Sequence, residues 1–89
     1  MVQLRTFEIT NRLGIHARAA AKLVETASRF QSEIFLEKDG IEVNGRSILG
    51  ILTLFCPRGS RLTIRAEGED ALEAMEALAS LIAGKFGEG

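Results

Sequence analysis

The chain has 89 residues, 46% of them hydrophobic and 26% charged, which suits one folded domain over residues 1–89 and excludes multidomain, collagen-like, disordered and disulfide-stapled readings. Eleven Lys and Arg against twelve Asp and Glu give a formal charge of −1, so no general field holds a phosphate backbone and nucleic acid is not the expected partner. Cys56 is the only thiol, which excludes an intramolecular disulfide, and no run has the length of a signal-peptide core or a membrane span; the chain reads as complete, cytoplasmic and not inserted in a membrane.

From Arg5 to Thr10 polar and apolar residues alternate, with Phe7 and Ile9 on one face and Leu4 out of phase, as in a strand covered on one side. Asn11 to Ile15 breaks the pattern with a glycine. From His16 onward Ala20, Leu23, Val24 and Ala27 recur at helical spacing. Ser32 to Lys38 alternates again, with Ile34 and Leu36 inward and Phe35 exposed on the opposite face, and Asp39-Gly40 suits a tight hairpin into a short return strand through Ile41 and Val43. Ser47 stands where an N-cap belongs, ahead of Ile48, Leu49, Ile51, Leu52 and Leu54, which form a short helix or, by its rival reading, a buried strand. Pro57 to Ser60 is a turn, and Leu62, Ile64 and Ala66 alternate with Arg and Thr residues in a fourth strand. A final helix follows, with Glu69 and Asp70 at its positive end, an apolar stripe of Leu72, Met75, Leu78, Ala79 and Ile82, and Gly84 near its stop. The order β-α-β-β-α-β-α predicts an α/β (α+β) two-layer open-faced sandwich, its sheet covered on one face by the three helices and wet on the other.

His16 is the only histidine, so any imidazole chemistry belongs to it. Its place in Gly14-Ile15-His16-Ala17-Arg18 puts it where a loop enters a helix. There the backbone N–H groups of Ala17 and Arg18 lack intrahelical partners and, with the helix dipole, favour an incoming anion. Arg18 is either a further phosphate contact or a solvated helix residue. One His and one Cys forty residues apart supply no metal site, and no metal or cofactor is expected. There is no phosphate-binding GxxxxGK[ST] loop or dinucleotide fingerprint, so autonomous kinase chemistry is excluded, while a catalytic triad is disfavoured only softly because triads assemble in space. An RNA-binding or small-ligand sandwich is disfavoured by the absence of Tyr and Trp and by the charge.

Gly14-Ile15-His16-Ala17-Arg18 followed by Ala20-Ala21 resembles the phosphohistidine motif of the HPr family, the phosphocarriers of the sugar phosphotransferase system. Val43-Asn44-Gly45-Arg46-Ser47-Ile48-Leu49-Gly50 resembles that family's regulatory serine segment, at the family's separation, and the element order matches over essentially the whole chain. The resemblance implies a four-stranded antiparallel sheet and a carrier that takes a phosphoryl group on Nδ1 of His16 from enzyme I and passes it to enzyme IIA domains, Arg18 steadying the phosphate. It further implies phosphorylation of Ser47 by an HPr kinase/phosphorylase, beside the serine's plain role as N-cap, and docking of partners on Ile48, Leu49 and Leu52, beside their plain role in the core. A carrier that exposes its site to two partners in turn is expected to be a monomer. The alternative within the fold is a regulatory binding module, in a nitrogen-related phosphotransferase branch or with a transcription factor. One departure stands out: Ala19 occupies the place where the family usually has proline.

Overall fold

The computed structural model describes residues 1–88. Along the chain run β1 (Val2–Glu8), α1 (Ala17–Ala27), β2 (Glu33–Lys38), β3 (Ile41–Asn44), α2 (Ile48–Thr53), β4 (Arg61–Glu67) and α3 (Ala71–Ala83), then a single 3-10 turn at Lys85–Gly87. The strands form one sheet in the order β1-β4-β2-β3, every pair antiparallel. Register follows the apolar alternation. Phe7 stands opposite Leu62, Ile34 opposite Ala66, and Leu36 opposite both Ile64 and Val43, so the inward residues of all four strands meet on one face. A slip of one residue would turn that whole set to water.

The helices cover this face. α1 buries Ala19, Ala20, Leu23, Thr26 and Ala27, and α3 buries Ala71, Ala74, Met75, Leu78 and Ile82. The many alanines let α1 approach α2 and α3 closely, while α3 lies on β1 and β4. The apolar run after Ser47 is the helix and not the rival strand: the Ser47 hydroxyl accepts from the Gly50 N–H at 2.9 Å, and only Ile51 within α2 is fully buried. Asp39 and Gly40, with φ of 53° and 82°, form the hairpin turn that their types favour. No helix among the described residues is long and apolar enough to cross a membrane.

Two expectations need correction. Leu72 is not part of the buried stripe of α3 but 44% exposed; the inward face is set at the helix start by Ala71 and Ala74 and continues through Met75, Leu78 and Ile82. Phe35 does lie on the open face of the sheet, but it is half-buried because the Arg65 guanidinium sits 4.3 Å above its ring, itself held by both oxygens of Glu42 at 2.9 Å.

The end of α3 is unusual. Gly84, the C-cap, has an ordinary φ of −80°, and the left-handed residues come after it: Lys85 (55°), Phe86 (56°) and Gly87 (72°). Each non-glycine residue held there costs about 1 kcal/mol. Burial of Phe86 at 2% exposure and a 2.5 Å bond from the Lys22 ammonium to the Phe86 carbonyl offset that cost.

Candidate functional site

The loop between β1 and α1 is pinned to the turn before β4. Ile9 exchanges backbone hydrogen bonds with that turn, donating to Ser60 O at 2.8 Å and accepting from Gly59 N–H at 2.7 Å, and the Ile15 N–H donates to Cys56 O at 2.8 Å. Gly14 lies against the same carbonyl with φ 65°; a Cβ there would stand 2.4 Å from Cys56 O and 2.8 Å from Pro57 Cα. Only glycine meets both demands. The chain then turns extended at His16 (φ −87°, ψ −178°), the N-cap of α1, whose carbonyl accepts from the Ala20 N–H at 2.9 Å.

The His16 side chain does not cap the helix, so Ala17, Arg18 and Ala19 enter α1 with no side-chain partner for their N–H groups. The imidazole is half-buried and its Nδ1 lies 3.1 Å from Gly14 O. A carbonyl only accepts, so this contact is a hydrogen bond when the proton is on Nδ1. Gly14 O also receives the His16 N–H at 3.1 Å and the Asn11 Nδ2–H at 2.7 Å. With two lone pairs already met, that carbonyl does not depend on the imidazole. The ring can leave it without orphaning an acceptor.

His16 opens into a cleft of about 470 Å³ lined by Arg12, Leu13, Arg18, Phe86, Gly87 and Glu88. Arg18 and Ala17 are exposed at the helix start, as expected of residues that meet an anion, and Arg12 adds a second guanidinium. Glu88 supplies a carboxylate: Oε2 accepts from Asn11 Nδ2 at 2.8 Å and Oε1 from the Leu13 N–H at 3.2 Å. The Asn11 amide bond and then the Leu13 N–H hold this carboxyl below its usual range, helped by the charges of Arg12 and His16. Asn11 is 1% exposed and spends both amide hydrogens, on Gly14 O and Glu88, leaving Oδ1 without a partner among the described residues. Sequence reasoning missed Asn11, Arg12 and Glu88. Asn11 and Arg12 carried a weak signal, polar residues directly before the motif glycine, but nothing local connects Glu88 to a loop more than seventy positions earlier.

Ser47, Ile48, Leu49 and Leu52 stand outside this cleft. Leu49 is 77% exposed and Ile48 is exposed too, while Leu52 packs half-buried against the core. Arg46 ties the segment to α1: its Nη2 donates to the carbonyls of Ala27, Phe30 and Ser32 at 3.0, 2.7 and 3.0 Å. The two motif blocks are thus joined through the body of α1, with Arg46 gripping one end and His16 capping the other. Phe55, 72% exposed at φ 51°, adds an apolar residue just beyond α2. Ala19, in the place of the family's usual proline, is wholly buried and keeps an N–H in the first turn that proline would lack.

Comparison with known proteins shows the family of the whole chain. Residues 4–84 match the family described as the PTS HPr component phosphorylation site. The phosphocarrier protein HPr of Neisseria meningitidis is 46% identical over 85 residues, covering 96% of each chain. The HPr-like protein Crh of Bacillus subtilis is 45% identical over 82 residues, 92% of this chain and 95% of its own. The crystal structure of HPr from Thermoanaerobacter tengcongensis superposes with a TM-score of 0.94 at 48% identity, covering 98% of both chains. With the family model, the fold and nearly the full length in agreement, the chain belongs to the HPr family of phosphotransferase-system phosphocarriers.

Proposed function

We propose that this chain relays phosphoryl groups in the cytoplasm, accepting one on Nδ1 of His16 from phosphorylated enzyme I and handing it to enzyme IIA domains. The observation that carries the reading is His16 at the N-terminus of α1, facing an open cleft with Arg12 and Arg18 and with helical N–H groups unclaimed by any side-chain cap. Phosphoryl transfer asks for position and charge stabilisation more than for covalent work by the protein, and this arrangement supplies both.

The step follows from the geometry. The attacking tautomer carries its proton on Nε2, so a proton that Nδ1 donates to Gly14 O must first exchange through solvent to Nε2, leaving a lone pair on the attacking atom. The ring swings off that carbonyl, the Nδ1–P bond forms, the bond between phosphorus and the donor breaks, and its electron pair stays with the donor. The phosphoryl oxygens meet the N–H groups of Ala17 and Arg18 and the guanidinium of Arg18. Transfer onward is the reverse, with the acceptor attacking from the open side. The domain is a relay between enzymes and not an autonomous kinase.

Partners dock, in this reading, on Ile48, Leu49 and Leu52 of α2, one copy at a time as a monomer. An HPr kinase/phosphorylase acts on the Ser47 hydroxyl, which the cap bond leaves at a helix start, and the added charge repels partners without unfolding the domain. The similarity to Crh keeps the regulatory module as a second reading. Incubation with enzyme I and labelled phosphoenolpyruvate separates the two: a carrier gains acid-labile, base-stable phosphate, lost in His16→Ala, whereas no label on folded protein means a regulatory module.

A further inference from the structure

We propose that Asn44-Gly45 is a self-modifying site that the fold holds shut: when the edge formed by β2 and β3 opens, the Gly45 amide nitrogen displaces ammonia from the Asn44 side chain, and the isoaspartate that results undoes the start of α2. Asn44 is exposed at the end of β3. Of the chain's two asparagines it alone precedes a glycine, whose bare backbone lets its nitrogen approach a neighbouring side-chain carbonyl most freely. The fold itself demands that glycine, because a Cβ at position 45 would stand 2.7 Å from Ile34 Cγ2 and 3.0 Å from Ile34 O. The packing that forces a reactive pair also shields it. The Gly45 N–H donates to Ile34 O at 2.7 Å, and the Asn44 Oδ1 accepts from the Arg46 N–H at 2.7 Å. The attacking nitrogen thus keeps its proton bound to β2, while the carbonyl it must reach is tied two residues ahead. Asn11 is the internal reference: it precedes Arg12, is 1% exposed and has both amide hydrogens engaged, so it stays an amide in the folded chain.

Opening removes both restraints. The Gly45 nitrogen then bonds to Cγ of Asn44, the Cγ–Nδ2 bond breaks, and the Gly45 proton passes through water to the departing nitrogen, which leaves as ammonia. Water opens the cyclic imide that remains. Attack at Cγ leaves the peptide bond in place and gives aspartate, whereas attack at the main-chain carbonyl leaves the chain running through the side chain as isoaspartate. Aspartate keeps the backbone, and its carboxylate accepts the Arg46 N–H as the amide did. Isoaspartate inserts a methylene into the main chain and turns the carbonyl that accepts the Ser47 N–H at 3.1 Å into a free carboxylate. The lengthened chain has no room against Ile34, so Gly45 and Arg46 are displaced. With them go the bonds from Arg46 Nη2 to the carbonyls of Ala27, Phe30 and Ser32, and the placement of the Ser47 hydroxyl that caps α2 through the Gly50 N–H.

The full chain is aged in mildly alkaline buffer, native and in urea, and the tryptic fragment 39–46 is followed for the mass gain of an amide turned acid. That fragment also holds Asp39-Gly40, whose isomerisation leaves mass unchanged, so the gain reads Asn44. Deamidation is expected to be fast in urea and about tenfold or more slower in the native state, rising with exchange of the Gly45 amide as urea approaches the unfolding transition. Equal rates in the two states, or the unfolded rate while the Gly45 amide stays protected, overturn the proposal. The aged chain is then refolded and its isoaspartate form compared with Asn44→Asp, which separates the added charge from the altered backbone. Exchange at the Gly50 amide is expected to rise about tenfold in the isoaspartate form and to stay unchanged in Asn44→Asp. An isoaspartate form that fails to refold where Asn44→Asp folds supports the same conclusion. A protected Gly50 amide in the isoaspartate form, or equal loss in both, overturns the effect on α2.

Discussion

Gly14 fixes the position of His16 more than any residue in direct contact with it. Alanine there meets a left-handed φ and a carbonyl 2.4 Å away together, neither of which a flexible side chain can relieve. Gly14→Ala is expected to cost about 2–4 kcal/mol in urea unfolding and to slow phosphorylation by enzyme I, since the turn behind Ile15 must shift. Asn11→Asp sets a second carboxylate against Glu88 and takes a donor from Gly14 O; we expect a loss of about 1–3 kcal/mol at pH 7, smaller at pH 3, by the same measurement. The motif residues were legible in the sequence because helix-start chemistry is local: a glycine, a loop, a histidine and an arginine. Their supports were not. The roles of Asn11 and Arg46 lie in buried hydrogen bonds that polarity alone does not foretell, and Glu88 reaches the loop only after the whole fold has closed.

At the scale of elements, alternation and capping carried most of the architecture, and the short apolar run after Ser47 shows how. Its periodicity was ambiguous, and the serine hydroxyl bonded to Gly50 is what makes it a helix; Ser47→Ala should lower stability by about 1 kcal/mol in thermal or urea melts. The reading slipped where large and small apolar residues compete for one face. Leu72 has nearly the right spacing, yet the inward face of α3 runs through Ala71, Ala74, Met75, Leu78 and Ile82, and Leu72 falls beside it, 44% exposed. The start of α3 also holds the end of the loop before β2. The Asp70 carboxylate accepts from the Ser32 hydroxyl and from the N–H groups of Gln31 and Ser32, which together lower its pKa, the hydroxyl bond foremost. Unfolded, it titrates near the ordinary value of about 4. The stabilisation is therefore complete above that pH and is lost as pH falls through the lower folded value. Melts from pH 7 to pH 2 should show a steep acid limb that Asp70→Asn flattens, with a lower melting temperature at pH 7.

For the whole molecule, the helices stand on one side of the sheet, and the loop bearing His16 is pinned to the turn before β4, so α1 carries both the acceptor and the grip of Arg46. Exposure separates docking from packing on α2. Leu49→Ala should leave stability within about 0.5 kcal/mol while slowing transfer from enzyme I, whereas Leu52→Ala should lower the melting temperature as well. Unchanged transfer in Leu49→Ala would remove that residue from the partner surface. Cys56 gives the molecule one further property. Its thiol is 3% exposed, burial pushes its pKa up, and the carbonyl of the same residue holds the amide just before His16. An alkylating reagent reaches that sulfur only when the packing around Cys56 opens. The rate of alkylation is thus a native stopwatch for opening of the segment whose backbone anchors Ile15, with no label to introduce.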